Sequence, residues 1–213
     1  MRFVDEADVY GLGQIALDYI GWGTSFFDYD NDGKPDLFVA NGSTFQDEHD
    51  RRLLLPMNNQ LFWNQGAKEG FVEVGAVSGR VFQERRVGRG AAFADFDNDG
   101  DVDILVVNHS ARPFLLRNEG GNRNHWLRVQ PHSAHRNRFG VGALVRITVD
   151  KATQSIQIGS QPSYLSQNPY EAHFGLGQYR QVDRVVVTFP GGKVQERTRV
   201  PAGQVLVVRE EGP

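Results

Sequence analysis

Apolar and polar positions fall into short strand-length runs along the whole chain. Thr24-Ser25-Phe26-Phe27, Leu37-Phe38-Val39-Ala40, Ala91-Ala92-Phe93-Ala94 and Ile104-Leu105-Val106-Val107 are aromatic or aliphatic stretches bounded by Gly, Asp and Asn. Such composition at such length favours strands over helices. Further on, residues 125–129 and 143–149 alternate as half-buried strands do. A run at 154–158 follows, then a strong one at 182–189, turned by Pro190-Gly191-Gly192 towards Val194-Gln195-Glu196, and a last one at 204–208. About six short strands without a clear helix imply a small β-sandwich or barrel in this second half. The pattern predicts an all-β chain.

Between the paired runs of the first half lies the chemistry. Asp28-Tyr29-Asp30-Asn31-Asp32-Gly33-Lys34-Pro35-Asp36 recurs, 67 residues on, as Asp95-Phe96-Asp97-Asn98-Asp99-Gly100-Asp101-Val102-Asp103. Carboxylates at positions 1, 3, 5 and 9 of a tight loop make an oxygen cage for a hard cation. Ca²⁺ takes roughly six to eight oxygens. Asp28, Asp30, Asp32 and Asp36 would hold one ion and Asp95, Asp97, Asp99 and Asp103 a second, with the backbone carbonyls of Lys34 and Asp101 assisting. Gly33 and Gly100 stand at position 6, where the chain must turn sharply. An EF-hand is excluded, since position 12 holds Val39 or Val106 instead of a Glu and the flanks read as strands. The cation therefore clips the turn of a β-hairpin, and its role is structural. An Asp/Asn/Gly surface turn is the plain alternative for one copy; duplication in matching context argues against it.

The loops are the centre of a longer repeat. Gly21-Trp22-Gly23 lies over Gly88-Arg89-Gly90, Asn41 over Asn108, and Leu61-Phe62-Trp63-Asn64-Gln65-Gly66 over Leu115-Leu116-Arg117-Asn118-Glu119-Gly120. Phe3-Val4-Asp5 matches Phe71-Val72-Glu73 with an offset of one. The first copy carries a polar insertion around residues 43–57, read as an exposed loop. These repeats resemble the FG-GAP/VCBS family, the blade unit of integrin-type β-propellers. The resemblance covers residues 1 to about 120 and implies four-stranded antiparallel blades with Ca²⁺ in the hairpin between the first two strands. Only about two blades are encoded, a partial propeller. The chain is expected to be the C-terminal piece of a longer protein whose earlier blades and signal peptide lie upstream.

The Gly/Asn-rich stretch Glu119-Gly120-Gly121-Asn122-Arg123-Asn124 marks a junction, so the chain divides into residues 1–120 and 121–213. The second part resembles the ASPIC/UnbV domain, which follows FG-GAP repeats in cartilage acidic protein and its relatives. The matching segments include Asn124-His125-Trp126-Leu127-Arg128-Val129, Gly140-Val141-Gly142-Ala143, His173-Phe174-Gly175-Leu176-Gly177 and Val200-Pro201-Ala202-Gly203-Gln204.

Charge adds one correction. The net charge is −3, but eight of the 26 acids are proposed ligands, and the remainder of the chain is mildly basic. No dense basic stripe with interleaved aromatics appears, so nucleic acid is not the partner. No run approaches the ~18 apolar residues of a membrane helix. The absence of cysteine excludes disulfides and Cys-ligated metals.

Other candidates are weaker. His132 and His135, with His125 and His173, invite a zinc reading, but His-x-x-His is not the helical pair that motif requires. Ser163, Ser166 and His173 lack the glycine pattern of a nucleophile elbow. Gly21-x-Gly23 and Gly88-x-Gly90 precede strands, so close packing between blades is preferred to phosphate binding. Residues 163–170, polar with two tyrosines, read equally as a recognition loop or a structural crossover. The expectation is a non-enzymatic, calcium-stabilised, extracellular or periplasmic interaction module with a protein or glycan ligand and open blade edges prone to self-association. A carbohydrate-binding or polysaccharide-acting propeller protein is the rival.

Overall fold

The computed structural model describes residues 2–120, 123–133, 137–159 and 163–211. Among these residues fourteen strands, β1 to β14, form four open sheets. β1 (Gly21–Phe27), β2 (Asp36–Asn41), β3 (Gln60–Asn64) and β4 (Phe71–Glu73) make an antiparallel meander, the first blade. β5 (Gly88–Ala94), β6 (Asp103–Asn108) and β7 (Phe114–Leu116) make the second. It has three strands where four were expected, because the chain after β7 leaves through Asn118 and Gly120 for the next sheet instead of folding back along it.

The remaining strands form two facing sheets. β10 (Ala152–Gln157), β9 (Leu144–Val149), β12 (Gln181–Thr188) and β13 (Val194–Pro201) lie in that order, all antiparallel. β11 (Ala172–Gly177), β8 (His125–His132) and β14 (Gln204–Arg209) form the second sheet, in which β14 runs parallel to β8. This is the small β-sandwich, with one strand more than the sequence pattern shows. The extra strand is β11, whose period-2 signal is interrupted by Gly175 and Gly177.

Buried side chains fall into two clusters. Leu127, Val129, Val145, Ile147, Phe174, Val185 and Val187 fill the space between the sandwich sheets. Phe38, Ala40, Leu61, Phe82, Ala91, Phe93, Ile104 and Val106 fill the space between the blades. Burying such side chains contributes roughly 1.5–3 kcal/mol each. The two G-x-G motifs serve this packing. A Cβ on Gly23 would meet the backbone of Arg89 and Ala91 at 2.7 and 2.5 Å, so β1 and β5 approach only because Gly23 has none. Residues 43–57 form a narrow out-and-back loop pinned by an isolated bridge between Gln46 and Leu54. Among the described residues no helix is long and apolar enough to cross a membrane.

Candidate metal centre

Each acidic stretch is the turn of a hairpin, β1–β2 in the first blade and β5–β6 in the second. The two turns are built by the same hydrogen bonds. Asp28 accepts from the amides of Asp32 (3.0 Å) and Gly33 (2.7 Å), and Asp95 from those of Asp99 (3.1 Å) and Gly100 (3.0 Å). Asp36 accepts from the amides of Tyr29 (3.0 Å) and Asn64 (2.8 Å); Asp103 does so from Phe96 (3.0 Å) and Asn118 (2.8 Å). The first carboxylate thus closes the turn, and the last ties it to the third strand. Gly33 and Gly100 adopt φ of +90° and +99°, where a Cβ is strained. Asn31 and Asn98, at position 4, also lie in the left-handed region (φ +57° and +62°), which Asn tolerates better than most residues.

In the first turn Asp28, Asp30 and Asp36 bring ligand atoms within 4.8 Å of one another; in the second, Asp95, Asp97 and Asp99 do. Asp32 stands apart from the first trio, its carboxylate engaged by the ammonium and the amide of Lys34. Asp103 stands apart from the second, although its counterpart Asp36, with the equivalent two amide bonds, belongs to the first. Of the two residues proposed for their carbonyls, Lys34 places its side chain on Asp32, and Asp101 is wholly buried and accepts from Asn31 Nδ2 at 3.3 Å.

Crowded, partly buried carboxylates resist ionisation. Burial raises Asp28 to about 8, reinforced by the charges of Asp36, Asp32 and Asp30 against the Gly33 amide. Burial likewise raises Asp36 to about 7, against the amides of Asn64 and Tyr29. Burial raises Asp30, Asp95 and Asp103 as well, and at Asp95 the Arg128 guanidinium is the largest opposing influence. An all-oxygen donor set holding more negative charge than its surroundings can stabilise fits a hard divalent cation.

Both turns are pressed against the sandwich. Asn31 is the centre of the contact. Its Nδ2 donates to the Gly100 carbonyl (3.1 Å), its carbonyl accepts from the Gly177 amide (2.8 Å), and its Oδ1 lies 2.7 Å from His173 Nε2. Because Oδ1 must accept there, His173 carries its proton on Nε2. Burial, then the nearby Arg128 charge, holds His173 down at about 3, so the ring is neutral. On the second turn Arg128 reaches Asn98 Oδ1 (2.8 Å) and Asp95 Oδ2 (3.3 Å). Glycines let the surfaces close. A Cβ on Gly175 would meet Asp28 Oδ2 at 2.0 Å, and one on Gly100 would meet Trp126 Nε1 at 1.8 Å.

Sequence reasoning missed Asn31, Asn98, Arg128, Trp126 and His173 as partners of the turns. The available signal was the Asn at position 4 of both copies. The remaining candidates take structural places. Ser163 Oγ accepts from the Thr24 amide (2.8 Å), Asn168 Oδ1 accepts from the Phe93 amide (3.0 Å), and Tyr164 packs on Trp22 with ring centroids 4.9 Å apart. Residues 163–170 are therefore a crossover lying on the inner strands of both blades. His132 is on β8, and His135 lies outside the described residues.

Fold and site together define a class: acidic-turn β-blades joined to a β-sandwich that rests on their turns. Comparison with known families agrees. The model of the FG-GAP-like repeat matches residues 28–106, spanning both acidic turns, and that of ASPIC and UnbV matches residues 133–213. The chain is similar to cartilage acidic protein 1 of Homo sapiens, 37% identical over 131 residues, which is 58% of this chain and 19% of that protein. The Mus musculus protein is 38% identical over 119 residues (52% and 18%), and that of Xenopus tropicalis 36% over 126 (55% and 18%). The chain spans about a fifth of the length of these relatives. The chain thus carries an FG-GAP-like repeat followed by an ASPIC/UnbV domain, and over more than half its length it is similar to cartilage acidic protein 1.

Proposed function

We propose that this chain is a calcium-stabilised, extracellular, non-enzymatic interaction module. The observation that carries the reading is the duplicated turn, in which three carboxylates converge twice in the same hairpin position. Asp28, Asp30 and Asp36 would hold one ion and Asp95, Asp97 and Asp99 the other. Asp32, Asp103 and the carbonyls of Lys34 and Asp101 belong to the same turns and would complete the oxygen shells. When bound, Ca²⁺ supplies the positive charge that lets the buried carboxylates ionise. The residues do the rest: the turns hold the hairpins, and Asn31, Asn98, Arg128 and His173 pass that rigidity to the sandwich. The division at residues 120 and 121 is part of this proposal, supported by the two family matches and the two buried clusters. The names of the relatives and the β-blade architecture favour a matrix-type setting, with a protein or glycan as partner. Ser163, Ser166 and His173, the groups that could suggest hydrolysis, are engaged in packing and hydrogen bonds.

Calorimetric titration with Ca²⁺ tests the reading. Two sites per chain are expected, between micromolar and millimolar as in extracellular modules, and a chelator should lower the melting temperature. Asp30→Asn should abolish one site and Asp97→Asn the other. No heat of binding and an unchanged melt in chelator would sink it.

A further inference from the structure

The third strand of each blade ends on its acidic turn in the same way. Asn64 donates its amide to Asp36 (2.8 Å) and its Nδ2 to the Pro35 carbonyl (2.8 Å). Asn118 donates its amide to Asp103 (2.8 Å) and its Nδ2 to the Val102 carbonyl (3.5 Å). Each asparagine thus holds positions 8 and 9 of its turn, and the residue before it is delivered to the same place beside the carboxylate at position 3. In the second blade that residue is Arg117, whose Nε lies 3.4 Å from Asp97. In the first blade it is Trp63, on β3 opposite Val72. The Trp63 ring nitrogen is buried, and among the described residues no acceptor meets it at hydrogen-bonding geometry. The acid beside it is Asp30. Burial, then the charge of Asp32, disfavours the Asp30 carboxylate, and the Trp63 N–H is among the influences that favour it.

The two blades therefore present different donors to the same carboxylate. An indole donates one hydrogen bond and carries no charge, whereas a guanidinium donates and is always cationic. A buried N–H without an acceptor is costly, and a carboxylate turned to meet it relieves that cost. We infer that Trp63 is a positioning residue of the first site, its N–H holding the Asp30 carboxylate towards the ion, and that the residue at this place in the repeat sets the order of affinity of the two sites. The inference rests on the calcium reading above. Trp63 orients Asp30 and leaves its full charge to the cation. Arg117 orients Asp97 but spends part of that charge and repels a divalent ion. The first site is accordingly the tighter. Groups that hold a ligand from behind in this way change metal affinity about 10- to 100-fold when removed.

The test reads each site alone by Ca²⁺ calorimetry, the first in the Asp97→Asn chain and the second in the Asp30→Asn chain. Trp63→Phe keeps an aromatic ring on β3 and removes the N–H. It should weaken the first site about tenfold at low and high salt alike, with the melting temperature in chelator unchanged. Trp63→Arg copies the residue of the second blade. It should also weaken the first site at low salt, and part of that loss should reverse at high salt as the added charge is screened. Should Trp63→Phe fail to fold, Trp63→Arg decides: salt-reversible weakening supports the inference and an unchanged affinity overturns it. A first site no tighter than the second overturns it, as does a Trp63→Phe chain that binds Ca²⁺ as the unaltered one does. A loss of affinity matched by a fall of the melting temperature in chelator also overturns it, because the indole then only supports the strand. In each of those cases the calcium reading stands. An unaltered chain that binds no Ca²⁺ overturns that reading and this inference with it.

Discussion

The two acidic turns share spacing, glycine, left-handed Asn and four equivalent amide-to-carboxylate hydrogen bonds, yet they differ in what faces them. Against the first trio of carboxylates the sandwich places a neutral imidazole, His173, held on Asn31, and the backbone of Gly175. Against the second it places Arg128, 3.3 Å from Asp95, and the next strand end adds Arg117, 3.4 Å from Asp97. Among the described residues the cation on the first turn is Lys34, and it sits on Asp32, outside the converging trio. Local sequence thus sets the shape of a turn, while its charge balance comes from residues distant in the chain. The first turn is left acidic and should depend on an external cation; the second carries part of its compensation within the protein.

The largest expected effect comes from the glycines. Gly33→Ala introduces strain at φ +90°, and its Cβ would lie 3.2 Å from the flexible amide end of Gln154. A cost of about 1 kcal/mol follows. Gly100→Ala adds to similar strain a Cβ 1.8 Å from the Trp126 ring nitrogen and 2.2 Å from the adjoining ring carbon. The indole must shift or the turn must lift from the sandwich, for a total of about 2–4 kcal/mol. Denaturant unfolding in excess Ca²⁺ measures both. Equal losses would mean that Trp126 does not clamp the second turn.

That contrast also shows where sequence reading stopped. The strand pairs, their turns and the duplicated cage were legible because each is local: period-2 burial, glycine at position 6 and carboxylates at fixed offsets leave a mark within ten residues. The fold of the sandwich was legible for the same reason, except β11, where Gly175 and Gly177 replace the side chains that would have shown alternation. Gly175 is a glycine for a tertiary reason, since a Cβ there would lie 2.0 Å from Asp28 Oδ2, while Gly177 takes a left-handed φ of +55°. Arg128 could not be assigned to Asp95 from sequence, because 33 residues and a change of sheet separate them. Phe26, Phe93 and Leu105 lie in apolar runs of the same character, yet in the fold Phe93 is buried between blades while Phe26 and Leu105 stay open.

The next effect is a pH dependence in chelator. Asp28 and Asp36 have folded-state values of about 8 and 7, above the ordinary 3.8 of the unfolded chain, because burial disfavours their charge. Groups so raised add stability that is fully present below about pH 4 and is lost as pH rises through 7 and 8. His173 acts in the opposite sense. Its value of about 3 means that stability is lost as pH falls from 6.5 towards 3. Between pH 6.5 and 8 only the carboxylates contribute, and the melting temperature in chelator should fall by about 5 °C. Asp28→Asn should remove most of that slope. Asp95→Asn should alter it little, because Arg128 already opposes the shift at Asp95. If the two variants flatten the curve equally, the turns do not differ in charge balance.

The smallest effect isolates one arginine. Arg117 is half-exposed, 3.4 Å from Asp97 through Nε and 2.7 Å from Glu119 through Nη2, so solvent and Glu119 both weaken its hold on the second turn. Exposed pairs of this kind contribute about 0.2–1 kcal/mol. Arg117→Gln should therefore tighten Ca²⁺ binding at the second site about two- to threefold at low salt, leave the first site unchanged, and lose its effect at high salt as screening takes over. Calorimetry in the Asp30→Asn background reads the second site alone. Arg128 sets the scale for the comparison. It is buried, bonded to Asn98 as well as Asp95, and its removal would disturb the seating of the sandwich along with the charge. Among the described residues Arg117 forms its ion pairs with Asp97 and Glu119, neither of them on a sandwich strand, so a change in affinity there without a change in melting separates electrostatics from docking. A shift at the first site, or none at the second, would show that the arginines on the second turn are not what distinguishes it.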